Sequence, residues 1–427
     1  VIERLLALPK YGAGIGLHRM SWALERLGAP FSAIKITGSN GKGSVAALTD
    51  AVMRALGVRT GLYTSPHLRR FNERIKVGGV DISDADLAAA IDWFDGASGA
   101  YASLHPDDTF GAFEAFTCVA LAHYARAGVD TLVLEAGIGG RYDSTRVVPG
   151  PVCALTSIDL EHTAVLGATA ELIAYDKADL CAPGGTLVVG PLEPELLRRL
   201  QAYAALRHIR LLSVDAAPVA NVRADADGVR FDLSLEGEHR DLFVPLCGLH
   251  QVDNARIAAL LVHTWAVAVG HPTAVLGRAL REGFAAVAWP GRCEQVRPGV
   301  YIDVGHTPAA AATFCAAMSA LPGPICLVLG VSHGKDARGV VRALLPMASE
   351  VICTRAHHNG RDAAEIEALV AELMPWLPRR REATIEAAMA TAMRGPNPTV
   401  AVGGSLYLAV EADAVLRGED PRELRFF

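Results

Sequence analysis

The chain has no CxxC pair, no internal repeat, no low-complexity tract beyond Ala-rich stretches and no excess of positive charge. Each absence excludes a class. The eight cysteines stand scattered at 118, 153, 181, 247, 293, 315, 326 and 353. A disulfide scaffold is therefore not expected, and the thiols fit reduced core residues of a cytoplasmic protein. No apolar run reaches about 18 uninterrupted residues, so no membrane span is expected. The opening "VIERLLALPK" lacks the shape of a signal peptide. A net charge of −6 is not that of a general nucleic-acid binder, although local basic patches could still meet anionic substrates. No N-K-x-D tetrad occurs, which argues against a guanine reader.

What is present fits a large soluble globular protein. The 427 residues, 51% hydrophobic and 20% charged, suffice for two domains with ample cores. Short apolar runs recur and end in Gly or Ser: "SAIKITGS", "TGLYTS", "DTLVLEAGIGG", "PVCALTSID" and "GTLVVGP". Longer Ala/Leu-rich helical segments, such as 45–57 and 112–127, lie between them. This alternation predicts an α/β fold with a parallel sheet covered on both faces. Across 212–246 polar and apolar residues alternate around Asp-Gly and Glu-Gly turns, which predicts a small antiparallel insert at the edge of the first domain. "AWPGRCEQVRPG" (288–299) has no helical period. It separates a first domain over 1–288 from a second over 300–427, with a linker at 289–299. Four more strands are expected in the second domain, at "VYIDVGHT", "ICLVLGVS", "EVICTRAH" and "TVAVGGSLY".

Three stretches carry chemistry. "ITGSNGKGS" (36–44) follows a strand and opens a helix, the layout of a phosphate cradle. Its glycines let backbone N–H groups of 38–44 face phosphate oxygens. Lys42 adds a positive charge and Ser44 a hydroxyl for Mg²⁺. The spacing differs from G-x-x-x-x-G-K-[ST] by an extra residue, Gly43. "LVLEAGIGGRYDST" places Glu135 at the end of an apolar strand, a position suited to a metal-binding carboxylate. "TSIDLEHTAVLGATAELIAYDKADL" (156–180) carries His162 after a strand and Lys177 near the end of a helix. These features alone leave ATPase, kinase and ligase open.

Taken together, the blocks resemble the folylpolyglutamate synthase/dihydrofolate synthase branch of the Mur ligases, over nearly the whole chain. "TGSNGKGS" is similar to that family's T-N-G-K-G-S loop, extra glycine included. "GLYTSPHLRRFNERIKVGG", "LEAGIGGRYDST", "TSIDLEHTAVLG", "GLHQVDNARIA", "WPGRCE", "DVGHTP" and "GGSLYL" follow in the family order. The resemblance implies a P-loop central domain with a parallel sheet and a smaller Rossmann-like C-terminal domain. It implies ATP contacts at Gly38, Ser39, Asn40, Gly41, Lys42, Gly43, Ser44, Asn254, Arg292 and Asp303. It implies catalytic roles for Lys42, His162, Lys177 and His306, and an acid substrate near Thr64, Ser65, Pro66 and Arg74. Ser44, Glu135 and His162 would bind the main Mg²⁺. Lys177, as a CO₂-derived carbamate, would hold a second.

The implied activity is ATP-dependent amide formation through an acyl phosphate, with L-glutamate joined to dihydropteroate or a folate. The protein is expected to be a cytoplasmic monomer with small-molecule partners, no nucleic acid and no membrane. Four positions depart from the family pattern: Glu161, Arg146, Val304 and Thr307 stand where Asp, Asn, Gly and Asn are usual. His333 is an added histidine beside a Lys-Asp pair. Two other readings remain at this stage: a related ligase joining a different acid and amine, and a non-catalytic ATP-binding module.

Overall fold

The computed structural model describes residues 2–9 and 12–426. Among the described residues, seventeen strands form three sheets. In the first part of the chain these are β1 (Ser32–Thr37), β2 (Thr60–Tyr63), β3 (Ile75–Val77), β4 (Val80–Asp81), β5 (Thr131–Glu135), β6 (Val152–Leu155), β7 (Thr186–Val189) and β8 (Arg210–Ser213). They pair in the order β4-β3-β2-β5-β1-β6-β7-β8. All pairings are parallel except those of the β3–β4 hairpin on one edge. The central strand β1 is buried along nearly its whole length, as a strand covered on both faces must be. Helices Lys42–Ala55 and His250–Val269 pack on one face, and helix Ala112–Arg126 lies with the apolar cluster on the other.

Strands β9 (Val219–Asp225), β10 (Gly228–Ser234) and β11 (Glu238–Val244) make a separate antiparallel sheet. It is the small antiparallel element expected over 212–246, and it pairs with no strand of the large sheet. Val229, Phe231 and Leu233 point inward from β10 and join the core of helices 42–55, 250–269 and 276–285. The period-2 pattern gave one apolar face, and the helical layer is what that face covers.

The last sheet holds β12 (Glu294–Arg297), β13 (Val300–Ile302), β14 (Ile325–Leu329), β15 (Glu350–Cys353), β16 (Arg379–Arg381) and β17 (Thr399–Gly403). Its order is β12-β13-β17-β14-β15-β16. β12 pairs antiparallel with β13, so this last sheet begins inside the stretch 289–299 that reads as linker. Helix His250–Val269 has the length and apolarity to cross a membrane, but 61% of its apolar 18-residue window is buried inside the protein. The eight cysteines are unpaired, and seven of them are buried.

Candidate active site

Loops at the carboxyl ends of parallel strands are where open α/β sheets bind ligands. Here two sheets present such ends to each other. From the first come the 38–41 loop after β1, Thr64–Pro66 after β2, Glu135 at the end of β5 and the 156–162 segment after β6. From the second come Asp303–His306 after β13, Ser332–Lys335 after β14 and Ser405 after β17. Thr307 Oγ1 lies 3.4 Å from Asn40 Oδ1 across the gap. The Arg69 guanidinium meets the Asp413 carboxylate, and His67 Nε2 lies 2.8 Å from the Arg425 carbonyl.

The phosphate loop is tied down from behind. Ser39 N–H donates to Ser157 O and Asn40 N–H to Ser157 Oγ, both at 2.9 Å. The Asn40 carbonyl accepts from the Thr156 hydroxyl at 2.5 Å. The Ser39 and Asn40 N–H groups therefore already have partners within the protein. The first bond of the following helix runs from Val45 N–H to Gly41 O. That leaves the N–H groups of Gly41, Lys42, Gly43 and Ser44 as the helix-start donors. Gly38 and Gly41 have φ of +148° and +83°, which favours glycine at both.

The extra glycine has a packing reason. A Cβ on Gly43 would stand 2.8 Å from the Trp289 ring, which comes from the interdomain connection. Trp289 was not singled out in the sequence, since nothing local ties 289 to 43. Gly43→Ala is expected to lower unfolding stability by about 1–3 kcal/mol through overpacking. The urea midpoint of the variant measures this; an unchanged midpoint would remove the packing argument.

Lys42 Nζ donates to the carbonyls of Gly38 at 2.9 Å and Ser39 at 3.4 Å. Lys177 Nζ, almost fully buried, also donates to Gly38 O, at 3.0 Å, and to Glu161 Oε1 at 2.9 Å. Burial and then the Lys42 charge push the Lys177 pKa down, against the pull of Glu161. Burial works to raise Glu161, but Lys177 and Lys42 outweigh it and hold that carboxyl low. Glu161, where the family pattern has Asp, is thus the ion-pair partner of Lys177.

Ser44 and Glu135 are both buried beside the loop. Glu135 Oε2 accepts from the Ser65 N–H at 2.9 Å. Burial pushes its pKa up, opposed by Lys42, this hydrogen bond, Arg292 and Arg74. A buried carboxylate and a hydroxyl are hard oxygen donors and fit Mg²⁺. His162 differs in environment. It is exposed at the start of a single-turn helix with φ +47°, seven residues beyond β6. Among the described residues, no three His, Cys, Asp or Glu side chains gather as a metal nest.

Of the residues assigned to the acid substrate, Thr64 is buried and its N–H donates to Arg74 O at 3.0 Å. Pro66 lines the cleft between the sheets. Arg74 lies behind that lining. It is buried between Phe71 and Phe116, its Nε donates to His67 Nδ1 at 2.9 Å, and burial pushes its pKa down to about 10. His67, to which it donates, does line the cleft.

On the second domain, Asp303 fastens the connection. Its carboxylate accepts from Cys293 N–H at 3.0 Å and Gly305 N–H at 2.7 Å. Burial raises its pKa against the attraction of Arg292. The cleft, of about 170 Å³, is walled by Pro66 and His67 on one side and by His306, Ser332, Lys335, Asn359, Leu406, Tyr407 and Phe426 on the other. Lys335, Asn359 and Tyr407 were not chosen from the sequence. The position of Lys335, after a β-strand in "GVSHGKD", was the available signal. His306 Nδ1 lies 3.2 Å from Val304 O. Burial and the Lys335 charge push its pKa down to about 4.

None of the four departures lines this cleft, although Thr307 also reaches Asn40 of the phosphate loop and Glu161 pairs with Lys177. Val304 is buried, and its N–H donates to Gly291 O at 3.0 Å. Thr307 caps helix Pro308–Ser319 through Ala310 N–H. Arg146 Nη1 donates to Arg141 O at 2.7 Å. Glu161 pairs with Lys177.

His250, at the start of helix His250–Val269, is pushed down to about 4 by burial and then by Arg292. That lies below the unfolded value of about 6.5. The unfolded chain therefore takes up the proton first as pH falls. The stability His250 contributes is full above about 6.5 and is lost as pH falls toward 4. His250→Gln is expected to flatten the pH dependence of the unfolding free energy in that window. An unaltered slope in urea titrations would contradict it.

The "Mur ligase, glutamate ligase domain" family model matches residues 291–406. A Mycobacterium tuberculosis dihydrofolate synthase/folylpolyglutamate synthase is 36% identical over 383 residues, covering 83% of this chain and 76% of that protein. A crystal structure of M. tuberculosis folylpolyglutamate synthase, complexed with ADP and AMPPCP, superposes with a TM-score of 0.87 at 30% identity, over 98% of both chains. An Escherichia coli structure in complex with DHPP and ADP gives a TM-score of 0.83 at 28% identity, over 98% of this chain and 97% of that one.

Proposed function

The chain belongs to the folylpolyglutamate synthase/dihydrofolate synthase family, and we propose that it uses ATP to join L-glutamate to the carboxyl group of dihydropteroate or a folate. The observation that carries this reading is the meeting of the phosphate loop of one sheet with the His306–Lys335 cleft of the other.

The N–H groups of Gly41 to Ser44 and the Lys42 ammonium hold the nucleotide phosphates, with Asn254 on the base side and Arg292 entering from the connection. The acid carboxylate attacks the γ-phosphorus, ADP leaves, and a mixed anhydride forms. The amine lone pair then attacks the acyl carbon. The tetrahedral adduct collapses with loss of phosphate and of the amine's proton. Lys335 and Asn359 suit the carboxylate and polar groups of the amino acid. With its Nδ1–H turned to Val304 O, neutral His306 keeps Nε2 as an acceptor for the substrate ammonium and its proton. Closure of the cleft keeps water from the anhydride.

Ser44 and Glu135 would hold Mg²⁺, with His162 adding a ligand from the loop. The ion supplies charge neutralisation at the phosphates. Lys177 would carry the carbamate for a second ion, and its depressed pKa favours the neutral amine that CO₂ requires.

None of the four departures lines the cleft, which favours the folate-type substrate over a different acid and amine. A screen of ADP release over dihydropteroate, tetrahydrofolates and a panel of amino acids tests this. Release is expected only with a pterin acid and L-glutamate together. Turnover confined to another acid–amine pair would overturn the assignment.

A further inference from the structure

We propose that Phe426 is a specificity-determining wall of the cleft between the two sheets, limiting the side-chain length of the amino acid joined there, and that His67 is the positioning residue for the segment that carries it. The proposal rests on the reading of this cleft as the amino-acid site and names what sets the size of its occupant.

Residues 421–426 follow the last α-helix, Leu406–Arg417. Pro421 is buried, and Leu424 and Phe426 pack on an apolar cluster of the last sheet. The half-buried Phe426 ring stands edge-on to His358 and to Tyr407, with ring centroids 4.8 Å apart in both pairs. His358 is itself anchored, since its Nδ1 lies 2.8 Å from Oε1 of the fully buried Glu411. Edge-to-face packing on two rings sets the direction of the third.

The first domain holds the same segment through one backbone group. Arg74 Nε–H donates to His67 Nδ1 at 2.9 Å, so that nitrogen is an acceptor. Burial and then the Arg74 charge push the His67 pKa down to about 4, so the ring is neutral and its one N–H sits on Nε2. Nε2 donates to the Arg425 carbonyl at 2.8 Å. The residue beside Phe426 is thus pinned from across the domain boundary.

The cleft holds about 170 Å³, below the roughly 300–1,000 Å³ of a drug-sized site and on the scale of one amino acid. Polar side chains such as Lys335 and Asn359 meet the charged groups of that amino acid. Phe426, Leu406 and Tyr407 are the apolar part of the same lining and meet the methylenes between those groups. A longer side chain has to displace a ring that two other rings and a fastened backbone hold in place.

L-Glutamate and L-2-aminoadipate carry the same charges and differ by one methylene, so they isolate the wall. The experiment measures kcat and KM for each amine with the full chain, ATP, and dihydropteroate or tetrahydrofolate as the acid. Wild type is expected to prefer glutamate by about tenfold or more in kcat/KM, the scale of one methylene in a fitted pocket. Phe426→Ala is expected to bring that ratio near one, chiefly by lowering the KM for aminoadipate. His67→Ala is expected to move the ratio the same way. His67→Gln, which keeps a donor for the Arg425 carbonyl, is expected to retain the preference. A Phe426 that only covered the surface would change both amines alike. Should Phe426→Ala fail to fold, Phe426→Leu carries the test, with a smaller shift in the same direction.

An unchanged ratio in the Phe426 variant overturns the wall, and an unchanged ratio in His67→Ala overturns the positioning role. Equal use of the two amines by wild type overturns the proposal while leaving the ligase reading intact. No amide from either amine with either acid overturns both.

Discussion

Lys42→Ala is expected to reduce ADP release by on the order of a hundred- to a thousandfold, with an unchanged circular dichroism spectrum. The side chain packs no core. Its ammonium lies over the loop it belongs to, on the carbonyls of Gly38 and Ser39. Its removal leaves the Ser39 and Asn40 backbone still fastened to Ser157, so the loop keeps its shape. What is lost is the positive charge that the proposed mechanism sets beside the transferred phosphoryl group, at the start of a helix whose free N–H groups cannot replace a full charge. Near-normal turnover in a folded Lys42→Ala protein would show that the loop does not hold the reacting phosphates.

Lys177→Ala is expected to be nearly inactive, for a reason that can be told apart from simple destabilisation. Lys177 is buried, bonded to Gly38 O and paired with Glu161. Deleting it leaves Glu161 unpaired at a part-buried site, a loss of roughly 3 kcal/mol by analogy with broken buried pairs. Lys177→Ala/Glu161→Gln is expected to recover most of that stability and none of the activity. The carbamate has its own signature. Nζ forms a bond to CO₂ and releases a proton, which requires the neutral amine that burial and Lys42 favour. Under ¹³CO₂, the wild type is expected to show a carbamate carbon resonance that Lys177→Ala lacks. A short carboxylic acid in the medium is expected to restore part of the rate. If the double variant is as active as wild type, Lys177 serves only to brace the loop.

Much of the architecture was legible because buried parallel strands announce themselves. β1, β2, β5, β6, β7, β13, β14, β15 and β17 all coincide with apolar runs closed by Gly, Ser or a polar loop residue. The edge strands did not. β16 is Arg379–Arg381 and β12 is Glu294–Arg297. An edge carries charge to resist further pairing, so its sequence has no apolar signal to find. The phosphate loop was visible from its glycines, but not the prior engagement of Ser39 and Asn40 by Ser157, which lies 117 residues beyond Asn40.

The same distance hid the reason for Gly43, since Trp289 reaches it only through the tertiary fold. The cleft was the least visible part. Pro66 and Phe426 line it from its two sides although they stand far apart in the sequence. The departures at Glu161, Arg146, Val304 and Thr307 marked the substrate as open when only the sequence was considered. Their partners in three dimensions are a lysine, a backbone carbonyl, the interdomain connection and, for Thr307, a helix start together with Asn40 of the phosphate loop.

The central claim is that ATP activates a carboxylate, and oxygen transfer tests it most directly. Dihydropteroate labelled with ¹⁸O in its carboxyl group is supplied with ATP and L-glutamate, and the inorganic phosphate formed is analysed by mass spectrometry. An acyl phosphate passes one carboxyl oxygen to phosphorus when the amine displaces it, so each phosphate released is expected to carry one ¹⁸O. Phosphate released without label, at a rate matching amide formation, would contradict the acyl phosphate and the account built on it.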